Sequence, residues 1–178
     1  MKRLIISMLM TSVVCLSANR MAAQNFVSDY TKLYIGGTVG ITLDGGTDIP
    51  DMIGFHGAYF FNPKFGAGMV GRYFKHPNYK NFVFAPAFFA HWGRSDSKLY
   101  FPTRIGLGID RHTYRYAETL QDEFVQTTDN LFAWYASAGI AIRPYNWLSI
   151  SVNAEYASSF EWMDFDYLGF NIGLSFHF

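Results

Sequence analysis

The sequence is short of three things: cysteine, charge and uninterrupted apolar stretches. Cys15 is the single cysteine in 178 residues, so no disulfide framework is available. Charged residues make up 16% of the chain, well under the roughly 25% ordinary for soluble domains. Lys and Arg, 14 in all, balance 14 Asp and Glu, and a neutral chain offers no electrostatic footprint for nucleic acid. Beyond the first twenty or so residues no stretch reaches about 18 consecutive apolar residues, which excludes a transmembrane helix from the mature chain. What is abundant points elsewhere. Half of the residues are hydrophobic, so disorder is excluded. The 18 Phe, 12 Tyr and 4 Trp come with 16 Gly, a composition that suits strands and disfavours helices. The length fits one domain.

The first residues read as an address. Met1-Lys2-Arg3 is a basic start, Leu4 to Leu16 a mostly apolar run, and Ser17 to Ala23 a small or polar stretch. Those are the three parts of a secretory signal peptide, and the apolar run is too short for a permanent anchor. Residues 1–23 are therefore expected to be a cleaved signal peptide and 24–178 the mature domain; cleavage after Ala18 is the alternative. Cys15 invites a lipid-modified reading, but Val14 before it is larger than such processing wants. A mature chain starting at Gln24 has no cysteine. Losing Lys2, Arg3 and Arg20 leaves 11 basic against 14 acidic residues, a net charge of −3.

From Leu33 onward the dominant period is two, the signature of strands. At the C-terminus Leu168, Phe170, Ile172, Leu174, Phe176 and Phe178 alternate with Gly169, Asn171, Gly173, Ser175 and His177. Leu148 to Tyr156, Leu33 to Leu43 and Leu99 to Asp110 alternate as cleanly. Ile53 to Phe61, Phe65 to Tyr73 and Phe132 to Ile142 follow more weakly. Phe82 to Trp92 carries Pro86, which removes a ladder bond and is expected to mark a bulge. That makes eight strands. Tight turns at Asn62 to Lys64, Gly93 to Ser97 and Pro144 to Asn146 alternate with longer connections at Asp44 to Asp51, Lys75 to Lys80, His112 to Asn130 and Ala157 to Asp166. Short turns on one side and longer loops on the other describe an all-β, eight-stranded antiparallel up-and-down barrel.

Alternation alone leaves two barrels open: a transmembrane one, and a soluble lipocalin-like binder with the apolar face inside. The polar faces of the clean strands carry Gly, Ser, Thr and Asn with few charges, whereas a wetted wall would carry many Lys and Glu. A bore that only side chains can fill suits small residues. The apolar faces carry no charge, and Arg or Lys on a lipid face costs about 2–4 kcal/mol at the midplane. Phe61, Phe65, Trp92, Trp147 and Phe178 fall at the turn end, and Tyr73, Phe82, Trp134 and Tyr156 at the loop end. Two aromatic rings around an aliphatic middle match two membrane interfaces. The transmembrane reading is preferred, since a closed barrel satisfies every backbone group inside hydrocarbon.

Eight alternating segments, the mature length and a last strand ending in Phe178 resemble the small outer-membrane barrels of the OmpA/OmpX type. Phe60-Phe61-Asn62-Pro63-Lys64-Phe65-Gly66-Ala67-Gly68, and Asn81 to Pro86 before an aromatic run, resemble porin-family barrels of Bacteroidetes-type bacteria. The resemblance spans the mature chain. It implies an integral outer-membrane protein exported through a cleaved leader, in contact with outer-membrane lipids and lipopolysaccharide. It also implies that the barrel assembly machinery is a transient partner reading Phe170, Ile172, Leu174, Phe176 and Phe178. Neither a nucleic acid partner nor a cofactor is expected, and the barrel is expected to be a monomer.

Chemistry-bearing residues gather on the lumen parity: His56, Arg72, His91, Arg104, Asp110, Arg143, Asn153, Glu155, Asn171 and His177. Buried charges need partners, so Arg72 and Arg104 are expected to pair with Asp110 and Glu155. Such a network reads better as a plug than as an ion path. His56, His76, His91, His112 and His177 lie on different strands or loops without ligand-pair spacing, so no metal site is expected. Some eight-stranded outer-membrane barrels modify lipid A. His112 near a Ser or Thr of the third loop, or Ser158 and Ser159 with Glu161, could supply a nucleophile and base, but no compact pairing is present. The expected role is non-enzymatic: structural, surface-interacting or a narrow pore. The outer loops are acidic through Asp44, Asp48, Asp51, Glu118, Asp122, Glu123, Asp129, Glu161, Asp164 and Asp166. That suits solvated loops or divalent-cation bridging to anionic lipopolysaccharide.

Overall fold

The computed structural model describes residues 32–43, 52–75, 79–93, 97–117, 124–160 and 166–178. The expected signal peptide and most of the acidic loop positions lie outside them, as do His76 and Trp162. Eight strands follow in order: β1 (Leu33–Thr42), β2 (Met52–Phe60), β3 (Phe65–Lys75), β4 (Tyr79–Trp92), β5 (Leu99–Ala117), β6 (Phe124–Tyr145), β7 (Leu148–Ser159) and β8 (Asp166–His177). Each pairs antiparallel with its sequence neighbours, and β1 closes on β8 from Tyr34↔His177 to Thr42↔Gly169. Closure removes both sheet edges within the barrel, where each strand is paired on both sides. The expected eight-stranded all-antiparallel barrel is the observed fold.

The period-two pattern turns its apolar side outward. Phe170, Ile172 and Leu174 are 46%, 58% and 50% exposed, while Gly169, Asn171, Gly173 and Ser175 between them are buried. Ile35, Val39, Ile53, Phe55, Ile105, Leu107, Ile140 and Val152 are exposed in the same way around the wall. A continuous apolar exterior of this kind is not a soluble surface, where large apolar patches are rare. The lipocalin-like alternative required the opposite orientation and is set aside. Phe61, Trp147 and Phe178 ring the turn end outwardly as expected, but Trp92 is buried. Its ring meets Phe65 edge-on at 5.7 Å and its Nε1 donates to Thr103 Oγ1 at 2.8 Å.

One expectation about strand regularity is corrected. Pro86 makes no bulge: β4 keeps one register on β5 on either side of it, from Phe84↔Ile109 to Ala87↔Gly106, with the pairs between missing. The proline has lost one donor, and the ladder simply skips. The register shift lies instead between Ile142 and Tyr145 on β6, beside the Asn146-Trp147 turn. Of the two readings that the length of the third connection allows, a functional loop or a strand extension, the second is the one observed. β5 and β6 stay paired from Arg111↔Asn130 to Ala117↔Phe124, so most of 112–130 is strand extending beyond the other walls.

Candidate functional site

The bore is filled by side chains arriving from opposite walls. With eight strands, residues on strands four apart face each other across the axis, and an interior of this width lets long side chains meet there. The sequence puts its two fully lumenal arginines at such positions. Arg72 on β3 reaches Glu155 on β7, its Nε donating to Oε1 at 2.8 Å and Oε2 at 3.0 Å. Both side chains are out of contact with solvent. Tyr135 on β6 completes the knot. Its hydroxyl accepts from Arg72 Nη2 and donates to Glu155 Oε2, both at 2.9 Å. Arg72 Nη1 donates to the carbonyls of Phe55 at 3.0 Å and Gly71 at 2.9 Å, so every nitrogen of the guanidinium is engaged. Gly54 makes room for it: a Cβ there would stand 2.5 Å from Nη1 and 2.7 Å from Thr38 Oγ1.

The second strut is one tier nearer the turn end. Arg104 on β5 crosses to β1, donating from Nη2 to the Tyr34 hydroxyl at 3.1 Å. Its guanidinium carbon also lies 5.7 Å from the centre of the Phe89 ring. Tyr34 accepts a second bond from Ser175 at 3.0 Å, and Ser175 bonds His56 Nε2 at 3.0 Å. Below them Ser149 links Tyr100 and His177, each at 2.9 Å, and Arg143 covers the Tyr100 ring. Above the first strut Asn81 donates to Asp110 at 3.0 Å, and Phe74 stacks on Tyr167 with ring centres 4.5 Å apart. Phe74 belongs to β3 and Tyr167 to β8, three strands apart around the closed wall, so this pair cuts across one side of the bore.

Of the four expected network members, Arg72 and Glu155 meet directly. Arg104 does not take a carboxylate: it bonds the Tyr34 hydroxyl, while Glu155 bonds Arg72 and Tyr135. Asp110 joins neither arginine. It lies six residues beyond Arg104 on β5, about 20 Å along the strand at roughly 3.3 Å per residue, and Asn81 is its partner. Sequence reasoning missed Tyr34 and Tyr135, the hydroxyls that complete both struts. The available signal was a tyrosine on the lumen parity, since a buried phenol needs a polar partner.

His112 is buried on the lumen side of β5, opposite Asn81 and Asp129, and Thr127 of β6 lies diagonal to it on the same face; Ser158 and Ser159 lie at the loop end of β7. Glu161 lies outside the described residues. Among the described residues no group of three or more His, Cys, Asp or Glu is placed to hold a metal ion.

The closed bore, apolar exterior and meander topology define the small eight-stranded outer-membrane β-barrel fold. The chain is similar to the N-terminal β-barrel domain of Pseudomonas aeruginosa OprF, at 12% identity and a TM-score of 0.67, over 85% of this chain and 100% of that one. It is similar also to Neisserial surface protein A, NspA, at 9% identity and a TM-score of 0.59, over 84% of this chain and 96% of that one. A de novo designed transmembrane β-barrel matches at 11% identity and a TM-score of 0.51, over 86% of this chain and 100% of that one. No protein family and no curated protein matches the sequence.

Proposed function

We propose that this chain is an integral outer-membrane barrel with a mechanical, non-enzymatic role: a sealed, lipid-seated stave that holds its outer loops and the tall β5–β6 ribbon at the cell surface. The observation that carries the reading is the inversion of the ordinary protein plan. Ile, Val, Leu and Phe cover the exterior while charged and hydroxyl side chains lock across the axis. In hydrocarbon that exterior needs no further partner, and the closed ladder satisfies the backbone. The shortest strand, β2, has nine residues, enough to cross when tilted. Two struts and the Phe74–Tyr167 stack put side chains into the bore at successive levels, which favours a plug over a pore. Residues 1–23 deliver the chain across the inner membrane, and the last strand is read during insertion.

Two measurements test the proposal. After cell fractionation, the protein is expected with outer membranes and should run at different gel mobilities before and after boiling; a soluble fraction with one mobility overturns the membrane assignment. In planar bilayers the wild type is expected to show no resolvable openings. Steady conductance in the wild type, or a Glu155→Ala variant with unchanged current and unchanged thermal stability, overturns the plug.

A further inference from the structure

The two arginines that form the struts are not equally served. Every nitrogen of Arg72 has a partner. Arg104 is as deeply buried, yet it hydrogen-bonds only through Nη2, to Tyr34; its Nε and Nη1 have no hydrogen-bond partner among the described residues. The Phe89 ring is its other contact. A guanidinium is all donor and no acceptor, and it stays charged when buried. The Tyr34 oxygen already receives bonds from Arg104 and Ser175, so its own proton is one more donor without an acceptor among the described residues. Charge is out of balance at the same place. Arg104 stands opposite Ser137 on β6, and Ser137 opposite Glu155 on β7. That carboxylate is bound by Arg72 and Tyr135, so two guanidinium ions share one acid. Asp110 is about 20 Å away along β5. His56 and His91, whose rings feel the Arg104 charge, supply no anion.

We propose that the bore holds a monovalent anion of halide size, chloride, against Arg104 Nε and Nη1 and the Tyr34 hydroxyl, with the buried Ser137 hydroxyl as a further donor. The inference goes beyond the role proposed above and depends only on the side chains of the bore. A buried charge short of a counter-charge is costly, and a buried polar group with no protein partner points to a water or an ion. The excess of donors decides between the two. A water would bring two more protons to a place that already has too many, and no charge. A halide accepts from every side and supplies the missing negative charge. Size narrows the class further, since an interior of the width that side chains fill has no place for phosphate or sulfate. The next lumen positions beside Arg104, Gly106 on β5 and Ala87 on β4, carry nothing longer than a methyl. No long side chain from that wall competes for the guanidinium.

The test uses the folded full barrel in detergent, its thermal midpoint followed as sodium gluconate is exchanged for sodium chloride or bromide at constant ionic strength. Raising the halide from about 1 to about 100 mM is expected to raise the wild-type midpoint by about 3 °C or more. Arg104→Gln removes the charge and should abolish the rise. Lys98→Gln, which removes an exposed charge at the turn end, should keep it. Bromide-soaked crystals of the wild type give a second readout that needs no variant: an anomalous peak within hydrogen-bond reach of Arg104 Nε and Nη1. A wild-type midpoint indifferent to halide, an equal rise in Arg104→Gln, or no bromide peak at Arg104 overturns the site and leaves water to serve the donors. Loss of the rise in Lys98→Gln marks a surface salt effect and overturns it as well.

Discussion

Glu155 is the single carboxylate in the Arg72–Tyr135 knot, and its replacement gives the sharpest quantitative expectation. At 2.8 Å and an effective dielectric of about 20, the gross attraction to Arg72 is about 6 kcal/mol. Desolvation of two buried ions offsets most of that, yet removing one partner strands the other charge, which costs about 3–5 kcal/mol. Arg72 retains the Phe55 and Gly71 carbonyls and the Tyr135 hydroxyl, so Glu155→Gln belongs at the low end, about 3 kcal/mol. Arg72→Met should cost a similar amount by leaving the carboxylate with Tyr135 alone. The double variant Arg72→Met/Glu155→Gln removes both charges and should cost no more than either single change, a coupling of about 3 kcal/mol. Urea unfolding in bilayers, followed by tryptophan fluorescence, measures all four corners of the cycle. Additivity within about 0.5 kcal/mol would refute the claim that the strut acts as a unit.

Other substitutions probe the remaining layers. Ile172→Arg places a charge midway along the outward face of β8 and should destabilise the inserted barrel by about 2–4 kcal/mol, visible as a lower urea midpoint; no change would contradict lipid contact there. Gly54→Ala forces a methyl against a guanidinium that the network holds in place, and should cost about 1–3 kcal/mol. Gly57→Ala on the outward face, where a Cβ meets nothing nearer than 3.8 Å, should lie within about 0.5 kcal/mol of wild type. Equal unfolding midpoints for these two variants would refute the close fit. Tyr34→Phe deletes the acceptor of Arg104 and Ser175 and should cost about 1–3 kcal/mol, with a lower thermal midpoint in detergent; an unchanged midpoint would mean the second strut contributes nothing.

Strand identity and facing were legible because they are local. A period of two fixes which side chains share a face wherever the two faces meet different surroundings, and a bilayer outside a narrow polar bore is as strong a contrast as a chain meets. The same logic explains where reading failed. Beyond Asp110 and before Leu131 the outward positions turn polar, as at Arg111, Thr128 and Asn130, so alternation fades while backbone pairing continues. Thr113, Thr127 and Thr128 carry strand structure through what reads as loop. Pro86 and the shift at Ile142 to Tyr145 depend on which neighbour each amide faces, a property of the pair and not of one strand.

The amino-acid order by itself determined eight crossing segments, an apolar outside and a polar inside. Only the closed tertiary structure decided that Arg72 meets Glu155, that Arg104 settles on Tyr34, and that Asp110 joins neither. Those partners lie on different strands, and in the two struts on opposite walls. Their meeting is set by the stagger at which the sheet closes and by the reach of side chains across the axis.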